Sequence, residues 1–442
     1  MIRCLLYLAA CFIAWSTIAT VLIDGQINED EWAASTRFQF SNEVMPGYNV
    51  DSELITHVFL QHDGENLYVA FDAKGDPDKL RATVRPRDTA FMEDFVMIAL
   101  DTFGDDRYAV VLGANAKGSQ VDMKQTPDGG EDENWDILFE SQASIYEQGY
   151  RVEFAVPFQQ LQFPEQDRQE WKVAFGRVNF QSGTRTITAS FKMDRAKQCL
   201  FCQTEEVYVI KGLTKELRRS FIPFAITDVQ GSRPIDQLRF DEPDTSIGVS
   251  ALYDLNSTTT LEFTINPDFS QVEADVAQID VNSTFAISYP EKRAFFLEGS
   301  DLIQASSSGY HGPPARPNTV YTRSINNPKY AAKLIKQGKN ASWYALLASD
   351  SDSPYLIPGE ERSYFGAGEE SLVGILRYKH NLSNSSHIGA LFADRNYDTG
   401  GRGSNLNLDG KISLPRDYIF QFDVGKSRTK EPEADWIASE DM

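Results

Sequence analysis

Long runs of period-two alternation constrain this chain more than any other feature, and the fullest example is Leu261–Asp301. Leu261, Phe263 and Ile265 alternate with Glu262, Thr264 and Asn266. After an acidic connection, Asp268–Asp275, the residues Ile279, Val281, Phe285, Ile287 and Tyr289 share one side, with Ser283 the exception. Asp280, Asn282, Thr284, Ala286 and Ser288 share the other. Successive side chains of a strand point to opposite faces, so each run makes one apolar and one polar surface. Ile279–Tyr289 has about the 9–11 residues that a tilted strand needs to cross a bilayer. A half-buried strand of a soluble sheet alternates in the same way, so one run alone does not decide.

The pattern recurs from Phe221 onward. Ile247 to Tyr253, Tyr330 to Ile335, Ala341 to Ser349, Leu372 to Lys379, His387 to Ala393, Asn405 to Ile412 and Asp417 to Gly425 all read as amphipathic strands. The connections at Gln337–Asn340, Asn381–Asn384 and Leu414–Arg416 are tight, and Ser351–Ser363 and Arg395–Ser404 read as long polar loops. Short turns at one end and long loops at the other are the pattern of outer-membrane barrels, which a soluble meander can mimic.

The first half alternates over shorter runs. Strands are expected at Thr56–Leu60, Asn66–Asp72, Phe95–Asp101, Tyr108–Gly113, Phe139–Ile145, Tyr150–Val156, Trp171–Asn179 and Arg185–Phe191. Asn28 is placed to cap a short helix carrying Trp32. Many short strands with frequent turns and almost no helix predict an all-β sandwich over residues 21–213. Residues 214–220 read as a linker, and residues 221–442 as the N-terminal part of a β-barrel domain. The fold class expected is therefore all-β throughout.

With 42 Lys+Arg against 64 Asp+Glu, the net charge is −22. A nucleic-acid partner needs a basic surface, so this balance argues against one. Met1-Ile2-Arg3, the apolar Cys4–Trp15 run and the small residues of Thr17-Ile18-Ala19 make residues 1–20 a secretory signal peptide. Leu8-Ala9-Ala10-Cys11 spells a lipoprotein-like box, though early in the chain. Export leaves Cys199 and Cys202, spaced for a local disulfide or for free structural thiols. One such pair is only half a zinc site.

Ile23-Asp24-Gly25, Glu31-Trp32, Asp63 to Val69, Asp94-Phe95-Val96 ending at Asp101, and Gly149 to Pro157 resemble family nine carbohydrate-binding modules. The resemblance implies a secreted, non-catalytic β-sandwich that binds a polysaccharide or oligosaccharide. In that family two Trp residues sandwich a sugar ring, because sugar CH faces pack on aromatic rings while hydroxyls take hydrogen bonds. The matching positions here are Phe91, in place of a Trp, and a region near Cys199–Cys202 that contains no Trp. Met97 stands where sugar binders carry an acid. Asp94 and Trp135 join Phe91 as the candidate carbohydrate-binding residues. Asn266 to Asp275, Pro290 to Arg293, Phe295 to Gly299 and Val320 to Arg323 resemble a bacterial family of unknown function. Its members join such a sugar-binding domain to an outer-membrane barrel. That implies export to the outer membrane, contact with its lipid, and a periplasmic or extracellular sandwich. The chain ends on a polar segment, Glu431–Met442, not on an aromatic-terminated strand, so the barrel looks truncated.

No P-loop, dinucleotide fingerprint, zinc-protease or nucleophile-elbow motif is present, and no catalytic pair of carboxylates stands out. Asp101, Asp105 and Asp106, or Asp128, Glu131 and Asp132, offer oxygen ligands for Ca²⁺, although turn acids are usually just solvated. No other cofactor is expected. Glu273, Asp275, Lys292 and Arg293 read as charges that pair structurally. A non-catalytic carbohydrate binder is the leading reading. A channel or transporter with a structural sandwich is the alternative, and a glycoside hydrolase the least supported.

Overall fold

A computed structural model describes residues 21–125, 131–133, 135–197, 203–213, 215–229, 231–232, 239–240, 243–267, 291–303, 319–358, 363–382, 386–415 and 418–430. The signal segment, the pair Cys199 and Cys202, the carboxylate of Asp128, the strand at Ile279–Tyr289 with the acidic connection before it, and Glu431–Met442 lie outside the described residues.

The chain is all-β, with two large antiparallel sheets and two single-turn α-helices, Ala294–Leu297 and Ser300–Ile303, among the described residues. Among the described residues no helix is long and apolar enough to cross a membrane. The first sheet runs, in spatial order, Glu131–Asp132, Gln120–Gln125, Ala109–Asn115, Phe95–Asp101, Arg168–Asn179, Thr186–Ala189, Thr36–Met45, Val50–His62, Asn66–Lys74, Gly149–Pro157, Glu140–Tyr146. A further strand, Val207–Lys211, also pairs with Arg168–Asn179.

The two halves of this sheet share one core. Val96, Ile98, Leu100, Val173 and Phe175 come from one half, and Val58, Leu60, Val69, Phe71, Val152 and Phe154 from the other. Phe71 meets Phe154 and Phe175 edge-on at 5.9 and 6.2 Å, the geometry that ring quadrupoles favour. Asn28 starts a turn and not a helix. Trp32 N bonds Asn28 O, the chain then enters the Thr36–Met45 strand, and the indole is buried. Its Nε1 donates to Glu153 at 3.0 Å, and Glu153 also accepts from the amides of Gly25 (2.8 Å) and Asp24 (3.1 Å). Burial drives this carboxyl up to about 7 against the pull of those donors. The N-terminal motif residues thus converge on one buried acid.

The second sheet is a nine-stranded meander: Arg219–Asp228, Asp244–Asn256, Thr259–Ile265, Pro328–Lys336, Ala341–Pro358, Ser363–Asn381, His387–Tyr397, Arg402–Ser413, Ile419–Lys430. Among the described residues its first and last strands do not pair, and the sheet is open there. The first strand begins inside the expected linker, where Lys215 and Arg218 both pair with the buried Asp254. The expected long loop at Ser351–Ser363 is instead mostly strand. Asp350 to Pro358 and Ser363 to Ser371 continue the ladder. Polar residues sit in it because they bond one another: Ser353 Oγ lies 2.6 Å from Ser371 Oγ and 3.0 Å from Asp350. Arg395–Ser404 is likewise strand on both sides of a short turn.

Polarity in this sheet is inverted relative to the first. Leu261, Phe263, Ile265, Tyr330, Trp343, Leu347, Leu372, Leu376, Ile388, Phe392, Leu406 and Leu408 project from its outer face, each more than a third exposed. The inner face holds buried Asp254, Glu262, Lys333, Asp350, Arg377, Lys379 and Lys411. Residues 291–303 fill part of that inner side. Phe296, Leu302 and Ile303 pack on Ile335, Tyr344, Leu346 and Ile375, while Lys333 Nζ donates to the carbonyls of Phe295 and Glu298 (2.9 Å for the latter) and Arg377 Nε to that of Leu302 (3.0 Å). Arg293 is held by Glu291 and by the Thr322 carbonyl, each at 2.8 Å, so this pair is structural.

Candidate functional site: a cavity between the two sheets

Phe91 and Asp94 lie just before the Phe95–Asp101 strand of the first sheet. Phe91 meets Phe95 edge-on at 6.1 Å within an apolar cluster that includes Val44, Met97, Val111, Met123, Val178 and Phe191. The Met97 side chain lies across Gly176, its Cε 2.7 Å from where a Cβ would stand. Met97 is thus part of the apolar cluster, at the position where the resemblance leads one to expect an acid. Asp94 is fully buried and accepts from the amides of Arg81 (2.8 Å) and Phe180 (3.3 Å). Desolvation raises its pKa, and its work is to tie loops together. Trp135 packs on the opposite face, against the shared core, so the structure does not bring the three residues together.

Asp101 is buried under its own turn. Its carboxylate accepts from the amides of Phe103 (3.1 Å), Gly104 (2.8 Å), Asp105 (2.9 Å) and Asp106 (2.8 Å). Burial, with the charge of Asp105 beside it, pushes it up to about 6. Asp105 pairs with Arg107 and Asp106 with Lys172, so these acids face amides and cations and do not converge as a ligand set. Among the described residues one trio does converge: Asp88, Asp122 and Asp136 place oxygens within 4.8 Å of one another. Arg87 already serves all three, at 3.8, 2.7 and 3.4 Å, and Asp122 also accepts from the Ile137 amide at 2.7 Å. This cluster fixes the segment that carries Trp135.

That segment forms part of a cavity of about 210 Å³ at the junction of the two sheets. Trp135, Tyr108 and Phe103 supply aromatic surface, and Gln160, Gln162 and Gln337 supply amides. Leu297, Glu298 and Gly299 close it from the segment held inside the second sheet. Its charges are mostly matched. Lys124 pairs with Asp301 at 3.1 Å, and Arg218 with Asp254 and Glu298, each at 3.1 Å. Arg107 is 6% exposed and uses Nη2 on Asp105 and on the Gly338 carbonyl (3.3 Å). Its Nη1 is buried with no partner, and so is Oε1 of Gln162. Both atoms are closed off from solvent, so the chemistry the cavity offers is that of its aromatic and amide lining residues.

Sequence reasoning reached Trp135 but missed Arg107, Gln162 and Gln337. Only the Asp105–Arg107 spacing hinted at a pair, and nothing local links these positions. The arrangement is that of a two-sheet β-protein with a small polar–aromatic cavity at its seam. The profile of a domain of unknown function (DUF5916) matches residues 215–310. The match spans the strings from Asn266 to Gly299 on which the resemblance to a family of unknown function rests. Comparison with curated proteins finds no match. Among solved structures, a "putative carbohydrate-binding protein" from Bacteroides uniformis is similar at 11% identity and a TM-score of 0.31, over 37% of this chain and 81% of that one.

Proposed function

We propose that this chain is a non-catalytic carbohydrate-binding protein of the bacterial outer membrane, in which a β-sandwich precedes strands of a β-barrel. One observation carries the binding role: the seam cavity gathers the rings of Trp135, Tyr108 and Phe103 with the side chains of Gln160, Gln162 and Gln337. A sugar ring supplies hydroxyls that both donate and accept, and a CH face for the indole. Because neighbouring charges are paired off, a neutral sugar suits the site better than an acidic one.

The second sheet supports this setting. Apolar side chains outward and ionic ones inward are the polarity of a strand in lipid. Arg107 reaches Gly338 and Lys215 reaches the Ser257 carbonyl, so the sandwich sits at the tight-turn end of the meander. Tight turns of outer-membrane barrels are periplasmic, and on this reading so are the sandwich and its ligand. The ionic inner face also suits a water-lined path, which keeps a channel with a structural sandwich as the second reading. A glycan array probed with the detergent-solubilised full chain separates the two. Binding that falls in Trp135→Ala and Arg107→Met supports the first reading. No glycan binding, together with ion conductance in planar bilayers, overturns it.

A further inference from the structure

The outer face of the second sheet is not uniform. Read across the strands, its register gives two adjacent rows of different chemistry. Lys336, Trp343 and Tyr378 are successive cross-strand partners, and all lie within three residues of a tight turn. One step further from the turns, Leu334, Ala345, Leu376, Phe392 and Leu406 are successive partners and wholly apolar. Where the rows meet, the surface is grooved. Ala345 and Ala390 are too small to fill it, while the rings of Trp343 and Tyr378, 4.4 Å apart, stand beside them. The groove encloses about 390 Å³, within the range of small-molecule sites. Lys336 lines it, is exposed, and has no carboxylate partner among the described residues.

We propose that this groove binds an anionic phospholipid, with an acyl chain along the Leu334–Ala345–Leu376–Phe392 row and the phosphate on Lys336. The inference rests on the membrane reading above and adds a specific lipid class and place to it. The order along the strand decides the orientation. Trp and Tyr favour the membrane–water boundary, where an ammonium meets headgroups and not hydrocarbon. A cation directly above an apolar groove matches a ligand with charge at one end and methylenes at the other. A sugar or a peptide would leave the apolar row uncovered. A phosphate also suits a point-charge ammonium, which gains more from an anion at the low-dielectric boundary than in bulk water.

Native mass spectrometry of the full chain, released from micelles doped with phosphatidylglycerol or phosphatidylcholine, tests this. The wild type is expected to retain phosphatidylglycerol at least ~5-fold over phosphatidylcholine. Lys336→Gln is expected to abolish the preference while keeping weak binding of both lipids, and Ala390→Phe, which fills the groove, to lose both. Equal retention of the two lipids by the wild type, or a preference unchanged in both variants, overturns the proposal. Incorporation into vesicles is measured in parallel. A folded chain that incorporates but shows no preference sinks the lipid site alone, whereas one that never incorporates sinks the membrane reading with it.

Discussion

The two sheets are built from the same alternation and use it in opposite senses. In the first sheet, Phe71, Phe154 and Phe175 are buried where its halves meet. In the second, Phe263 and Phe392 project outward, while Lys333 and Arg377 point inward to carbonyls. A period of two shows that a strand has two different faces. It does not show which face meets water. What distinguishes the sheets is where the buried ions are, since a buried charge must be compensated. The second sheet compensates its charges internally. Lys333 meets Glu262 at 3.0 Å, Arg395 meets Asp350 at 3.3 Å, and Arg377 meets Asp409.

Truncating aromatics breaks the comparison most sharply. Phe175→Ala should cost the first sheet about 3–5 kcal/mol in denaturant unfolding, while Phe263→Ala should cost the solubilised chain far less. The reverse test uses charge. Leu372→Arg, on the same face but six residues from the Tyr378 boundary, should destabilise the chain by about 2–4 kcal/mol when folding is followed in lipid vesicles. A third test confines itself to the first sheet. Because the folded carboxyl of Glu153 is raised to about 7, its contribution is fully present below the ordinary carboxylate range and is lost as pH rises toward 7. Thermal melts from pH 4.5 to 7.5 should therefore show that unit weakening. Glu153→Gln should flatten the slope by about 2–3 kcal/mol across the window. The smallest effect belongs to the seam. Trp135→Ala should weaken glycan binding by about 0.5–1.5 kcal/mol, ~2- to 12-fold, in titration calorimetry with whichever array sugar binds the wild type.

Much of the fold was legible because alternation is local. The strands at Asn66–Lys74, Phe95–Asp101 and Gly149–Pro157 and most of the meander stand where the side-chain pattern puts them. The errors have local causes too. Polar Ser351, Asp352 and Ser353 read as loop, yet a strand tolerates them when cross-strand hydroxyls answer one another. Asn28 reads as a helix cap, but only a turn fits before the strand that starts at Thr36. The candidate site was legible only at Trp135. Arg107, Gln162, Arg218 and Gln337 meet because two sheets meet, and that docking leaves no spacing signal in the chain. Phe91 lies in an apolar cluster, Asp94 is buried on loop amides and Met97 lies across Gly176, packing that the motif strings do not reveal.

The central claim is that the outer face of the second sheet lies against lipid. Fluorescence quenching by bromine-labelled acyl chains tests it directly, using vesicle-incorporated variants that retain one tryptophan each. Trp343 is on that face and 47% exposed, while Trp171 is buried in the first sheet. The account predicts strong quenching of Trp343 and none of Trp171. Equal quenching of the two, or an unquenched Trp343 in a folded, incorporated chain, would contradict it.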